Sequence, residues 1–169
     1  MKLFRRALVA ASIGWALLVP LAPFAASQPA PARLWFALAF VVYGVGSVVC
    51  HQLPERSFVL WSAQWPVCAR CAGIYLGAAA AALFATMSPA TVRLHPETAS
   101  GVARAGAART LALAALPSAM TLVYEWTSGH TPSNVIRALA GAPLGAAVLL
   151  VVVRALADAE PRRTLPSPP

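Results

Sequence analysis

Five apolar runs divide this chain, near residues 7–26, 34–51, 68–88, 110–126 and 135–157, with short polar stretches between them. A bilayer core asks for about 20 apolar residues per helical crossing. A run in lipid must also satisfy its own backbone polar groups. The expected fold is therefore all-α: a polytopic membrane helix bundle of about five transmembrane helices, as one domain over residues 1–157. With 59% hydrophobic and 11% charged residues, the chain holds more apolar sequence than a soluble core of 169 residues could bury. The net charge of +8 comes from arginines placed between the runs. That pattern is membrane-flanking charge rather than a basic face with interleaved aromatics, so the expected partner is the lipid bilayer and not nucleic acid.

Lys2, Arg5 and Arg6 precede the first run, which could be a signal peptide. It is long for a signal core, however, and Ala25-Ala26-Ser27 is a poor cleavage region. An uncleaved first membrane helix is expected. The second run starts at Trp35 and stops before Pro54, extending through Cys50 and His51. Residues 54–66 are too polar to span. Phe58, Trp61 and Trp65 recur there at helical spacing, which suits either a segment lying in the interface or a loop packed on the bundle. Gly73 and Gly77 form a small-xxx-small pair on the third helix, a face that could hold a second copy as a homo-oligomer. Residues 89–109 read as the longest polar connection, with His95 a solvated loop histidine. The polar, Pro-rich residues 158–169 read as a disordered tail.

Five crossings put alternate connections on alternate sides. Cys50, His51, Arg56, Cys68, Arg70 and Cys71 then share a surface with Glu125, His130, Asn134 and Arg137. The basic start argues for a cytoplasmic N-terminus, and hence a cytoplasmic cysteine face. Counting Lys and Arg on the two sides nearly cancels, at six against seven.

Cys68-Ala69-Arg70-Cys71 is a C-x-x-C at a helix start, where the helix N-terminus and the Arg70 charge both favour thiolate. Cys50 and His51 close the preceding helix. Together these give three sulfurs and one nitrogen, a familiar tetrahedral set for zinc or another transition metal. Two other readings stay open: a thiol redox pair of Cys68 and Cys71 with Cys50 as a third exchanging thiol, or buried cysteines that only pack. Arg137, a turn inside the fifth helix, needs a partner, and Glu125 lies at the facing end of the fourth. Arg56, Arg70 and Arg137 converging could instead bind an anion or a lipid phosphate. Nothing resembles a Gly-rich phosphate loop or a nucleophile triad, and general bases are few, so the sequence leans away from an enzyme.

The run C-H-Q-x-x-x-R-S-F (Cys50, His51, Gln52, Arg56, Ser57, Phe58) and the following P-V-C-A-R-C-x-G-I-Y-x-G (Pro66 to Gly77) resemble the signature of small predicted prokaryotic membrane proteins known as domain of unknown function 2085. Asn134 and Arg137, followed by Gly141 and Gly145, are similar to that family's closing helix, and the likeness runs from about Val42 to Leu150. Family members typically carry an aspartate near the end of the helix before the N-x-x-R, where this chain has Glu125. The resemblance implies a multi-pass protein of a prokaryotic cytoplasmic (inner) membrane, marked by its cysteine motif, and carries no activity with it. From the residues themselves, Cys50, His51, Cys68 and Cys71 are the expected metal ligands, with Arg56, Arg70, Glu125, Asn134 and Arg137 as a supporting polar layer. Metal handling or transport is the expected role, with a membrane thiol-disulfide oxidoreductase as the alternative and a lipid phosphate or anion binding module third.

Overall fold

A computed structural model describes residues 2–29, 32–87 and 100–158. Five α-helices account for most of it: α1 (Lys2–Ala26), α2 (Arg33–Val49), α3 (Ala69–Met87), α4 (Ser100–Ser128) and α5 (Asn134–Asp158). The all-α, polytopic reading holds. Between α2 and α3 lie a 3₁₀ turn (Pro54–Arg56) and two short antiparallel strands, β1 (Ser57–Leu60) and β2 (Ala63–Cys68). His95 and the expected disordered tail, apart from Asp158 itself, fall outside the described residues.

Three boundaries differ from the sequence expectation for physical reasons. Helix α4 starts at Ser100 rather than near 110, because the Ala- and Arg-rich stretch read as a connection is made of strong helix formers. Helix α2 stops at Val49, and Cys50 is already extended (φ −148°, ψ 141°). The segment read as an aromatic-striped helix or loop is a β-hairpin. Its two-residue turn, Trp61-Ser62, has φ of 53° and 62°, the doubly left-handed geometry that matches strand twist.

Helices α3 and α5 run side by side in the same direction and form the tightest contact in the molecule. Gly73 and Gly77 lie against the backbones of Ala138 and Ala142, while Gly141 and Gly145 lie against those of Arg70 and Ile74. A side chain at any of these four glycines would enter the facing backbone, so both small-xxx-small pairs are spent inside the chain. The Gly73/Gly77 face expected to receive a second copy is thus covered by α5.

Helix α1 runs antiparallel to α3. Leu8, Val9 and Ile13 pack with Ala81, Ala82, Leu149 and Val153, whereas Trp15 and Val19 pack with Ala72, Cys71, Tyr75, Trp65 and Val67. The basic start of the chain therefore lies at the end of the bundle opposite the cysteines. The last turns of α1 reach past α3, where Phe24 meets Trp35 of α2 and Trp61 of the hairpin in edge-to-face contacts (centroids 5.9 and 5.4 Å). Helix α2 then returns alongside β2, so both its ends sit at the cysteine end. Four helices, and not the 17-residue α2, are long and apolar enough to cross a membrane.

Candidate metal centre

The hairpin brings the cysteines together. Ser57 pairs with Cys68 at the open end of the ladder, and α3 begins at the next residue, so Cys71 sits in its first turn. Cys50 leaves α2 beside them, and its Sγ accepts a hydrogen bond from the Cys68 backbone N–H at 3.2 Å. The three sulfurs lie within 4.8 Å of one another, all three residues being partly buried and free of disulfides. Around a zinc ion with Zn–S of about 2.3 Å, tetrahedral thiolates stand roughly 3.8 Å apart. Contraction of about 1 Å would close the set on an ion.

Polar side chains fasten this corner to its neighbours. Gln52 adopts φ 50°, a left-handed conformation few side chains favour. Its Nε2 offsets that by donating to Tyr43 O (3.0 Å) and Pro66 O (2.7 Å), tying α2 to β2. Gln64 Nε2 returns a bond to Gln52 O (2.5 Å), and the Tyr43 hydroxyl donates to Gln64 O. Gly46 lets the strand approach, since a Cβ there would meet Pro66 O and Gln52 Nε2. Buried Ser57 donates to Leu53 O (2.9 Å), and Asn134 Nδ2 donates to Ser57 O (2.9 Å), which links the hairpin to the start of α5.

Behind the sulfurs is one carboxylate among three arginines. Arg137 Nε donates to Glu125 Oε1 at 3.0 Å, and Arg70 Nη2 donates to the same oxygen at 3.1 Å and to Thr121 Oγ1 at 3.0 Å. Arg56 Nη1 stands 3.8 Å from Glu125 Oε2. A cavity of about 210 Å³ joins the two groups, lined by residues that include Cys50, Cys68, Cys71, Arg56, Arg70 and Arg137.

The Cys68 thiol is lowered to about 5, first by the side-chain hydrogen bond from Cys71, against burial, with further help from backbone hydrogen bonds and Cys50. A thiolate at Cys68 suits either metal ligation or nucleophilic thiol exchange.

His51 departs from the expected set. It lines the cavity but is exposed and stands outside the sulfur cluster. The cause is the early end of α2: the extended backbone at Cys50 and the left-handed turn at Gln52 swing the imidazole out. His130 bonds within its own turn, to Ser128, and does not line the cavity. Arg56, Arg70, Glu125, Asn134 and Arg137 all meet at the cysteine end. Gln52, Ser57 and Thr121 are structural members of this corner that were not expected from the sequence. Gln52 and Ser57 stand inside the C-H-Q…R-S-F run and could have been read from it.

The profile of the family described as "Predicted membrane protein (DUF2085)" matches residues 50–151. That stretch begins at Cys50 and takes in the whole sulfur cluster, Glu125 and Arg137. The chain belongs to this family. Among curated proteins, an uncharacterised protein of Methanocaldococcus jannaschii is 42% identical over 57 residues, which is 34% of this chain and 36% of the relative. An uncharacterised protein of Methanothermobacter thermautotrophicus is 49% identical over 41 residues, 24% of this chain and 37% of its own length. The matches thus span little more than a third of either curated relative. No solved structure matches the chain. Membership of DUF2085 and four long apolar helices agree that this is a multi-pass membrane protein.

Proposed function

We propose that this membrane protein holds a thiophilic metal ion, zinc or another transition metal, through Cys50, Cys68 and Cys71, and that it serves metal handling or transport rather than catalysis. The observation that carries the reading is the mutual approach of three sulfurs within 4.8 Å, contributed by a helix end, a strand end and a helix start. Three protein ligands leave a fourth position for water or cargo, unlike the closed four-ligand sites that only brace a fold. Soft thiolates favour copper(I) or zinc over magnesium or calcium. The positive charge of Arg56, Arg70 and Arg137, only partly offset by Glu125, supports a cluster of thiolates that would otherwise repel one another.

We infer the sidedness from the distribution of basic residues about the bundle. With α2 not crossing, Lys2, Arg5, Arg6, Arg104, Arg109 and Arg154 lie at the end opposite the cysteines. Among the described residues, six basic residues then stand against four, Arg33, Arg56, Arg70 and Arg137, at the cysteine end. The positive-inside rule puts the cysteines on the outer face of a prokaryotic cytoplasmic membrane. The expected cytoplasmic cysteine face depended on five crossings.

A thiol-disulfide exchanger is the second reading, favoured by the lowered Cys68 thiol beside Cys71. Elemental mass spectrometry of the detergent-purified chain, with thiol titration before and after chelation, separates the two. About one metal per chain and thiols released by chelator support the metal centre. Metal-free protein with a reducible Cys68–Cys71 bridge supports exchange and sinks the metal reading.

A further inference from the structure

Arginine is retained inside a bundle only when its charge and its N–H groups find partners. Here the partners run short. Arg137 is 2% exposed and Glu125 7%, and Arg56 and Arg70 close around the same carboxylate. Three positive charges face buried Glu125 and one exposed carboxylate, Glu55, at the rim. Arg137 Nη2 lies 2.8 Å from Glu125 Oε1 without the alignment of a hydrogen bond. Arg56 Nε and Arg70 Nε are buried with no hydrogen-bond partner among the described residues, Arg56 Nε standing 3.9 Å from Glu55 Oε1, and Glu125 Oε2 likewise accepts no hydrogen bond. All three side chains line the 210 Å³ cavity that opens beside the sulfurs.

The backbone adds charge of the same sign. Because α3 and α5 run parallel, both of their N-termini lie at this end, and their first turns contain no acidic residue. Helix N-termini present free N–H groups and the positive end of the macrodipole. The unsatisfied donors, the charge surplus and the two helix starts all call for an acceptor-rich anion. The cavity, of about 210 Å³, has room for one tetrahedral oxyanion and a few waters.

We propose that Arg56, Arg70 and Arg137 form an oxyanion subsite that takes a phosphate group, separate from the sulfur cluster though sharing its cavity. The phosphate is either inorganic or the headgroup of an anionic lipid, since the site lies where four membrane-crossing helices begin or end. Arg56 is the entry residue, with a side chain 39% exposed. Arg70 and Arg137 form the floor. Glu125 holds the guanidinium groups in place and limits the subsite to one anion.

The test uses the full chain stripped of metal by chelator under reducing conditions, so that it does not depend on the sulfur site. Calorimetry with inorganic phosphate is expected to show saturable 1:1 binding. Arg56→Gln should weaken it at least tenfold, and Arg70→Lys, which keeps the charge but loses the fork, several-fold. Arg154→Gln, at the opposite end, should match the unaltered chain. Native mass spectrometry from membranes containing phosphatidylglycerol forms the second arm. If the lipid is the source, free phosphate binds poorly, but one phosphatidylglycerol per chain is retained, lost in Arg56→Gln and kept in Arg154→Gln. Either pattern supports the subsite and names its source. No binding in either arm, or binding equally affected by Arg56→Gln and Arg154→Gln, overturns it.

Discussion

Arg137 and Glu125 meet through a 3.0 Å hydrogen bond from Nε to Oε1, joining the first turn of α5 to the last turn of α4. Both side chains are almost sealed from solvent. Breaking a buried pair by removing one member leaves an uncompensated charge and costs about 3–5 kcal/mol. The two members are not equivalent, because Glu125 also neutralises Arg70 and Arg56. Glu125→Gln leaves three cations facing one another, while Arg137→Gln leaves the carboxylate with two partners. Thermal unfolding in detergent should therefore show the larger loss for Glu125→Gln. Equal losses would mean that Arg56 and Arg70 do not share the carboxylate.

The α3–α5 contact yields a second expectation. Gly145 faces the Ile74 backbone so closely that a methyl group cannot enter without parting the helices, whereas Gly14 has open space around it. Gly145→Ala should destabilise by about 1–3 kcal/mol, the usual range for overpacking. Gly14→Ala should stabilise slightly, since alanine is the better helix former by about 1 kcal/mol. Melting the two variants side by side checks the sign. A neutral Gly145→Ala would mean that the helices do not touch there.

Much of the architecture is legible in the chain because membrane helices announce themselves by length and composition. The meeting of Glu125, Arg70 and Arg137 was legible too, since chain connectivity alone brings those connections to one end. The hairpin was hidden. Phe58, Trp61 and Trp65 fit a helical stripe as well as a ribbon, and Trp61-Ser62 lacks the Asn or Gly that usually marks such a turn. The path of α2 was hidden for a different reason. Its apolar run resembles a span, and only packing against Gln64 and Pro66, through Tyr43, Gly46 and Gln52, turns it back. The fate of His51 hung on that one turn.

Cys68 supplies a pH-dependent signature. A thiol lowered to about 5 is roughly 99% thiolate at pH 7, against about 1% for one near 9. The sign for stability follows: a depressed folded value contributes stability that is complete above the unfolded thiol's range and is lost as pH falls through about 5. Alkylation of Cys68 in metal-free protein, followed residue by residue by mass spectrometry, should stay fast down to about pH 5. Cys71→Ala removes the main hydrogen bond and should move the midpoint up towards the ordinary thiol range. A midpoint near 9 in the unaltered chain would leave Cys68 an ordinary packed thiol.

The path of α2 decides how many times the chain crosses the bilayer, and parity makes that measurable. Helix α1 is antiparallel to α3, so Lys2 lies at the end of the bundle where α3 finishes; α5 is parallel to α3, so Asp158 lies there also. Four crossings therefore leave both termini on one side, whereas five would separate them. On the proposed sidedness the shared side is the cytoplasm, since six of the described basic residues lie at that end. A fluorescent protein that folds only in the cytoplasm should light up at either terminus. Alkaline phosphatase, which needs an oxidising compartment, should stay inactive at both, yet become active when inserted after Gly129, in the connection between α4 and α5. Opposite results at the two termini would mean that α2 crosses after all. The cysteine cluster would then return to the same side as Lys2, Arg5 and Arg6, and the packing of Leu8 and Val9 against Ala81 and Ala82 would have to be given up.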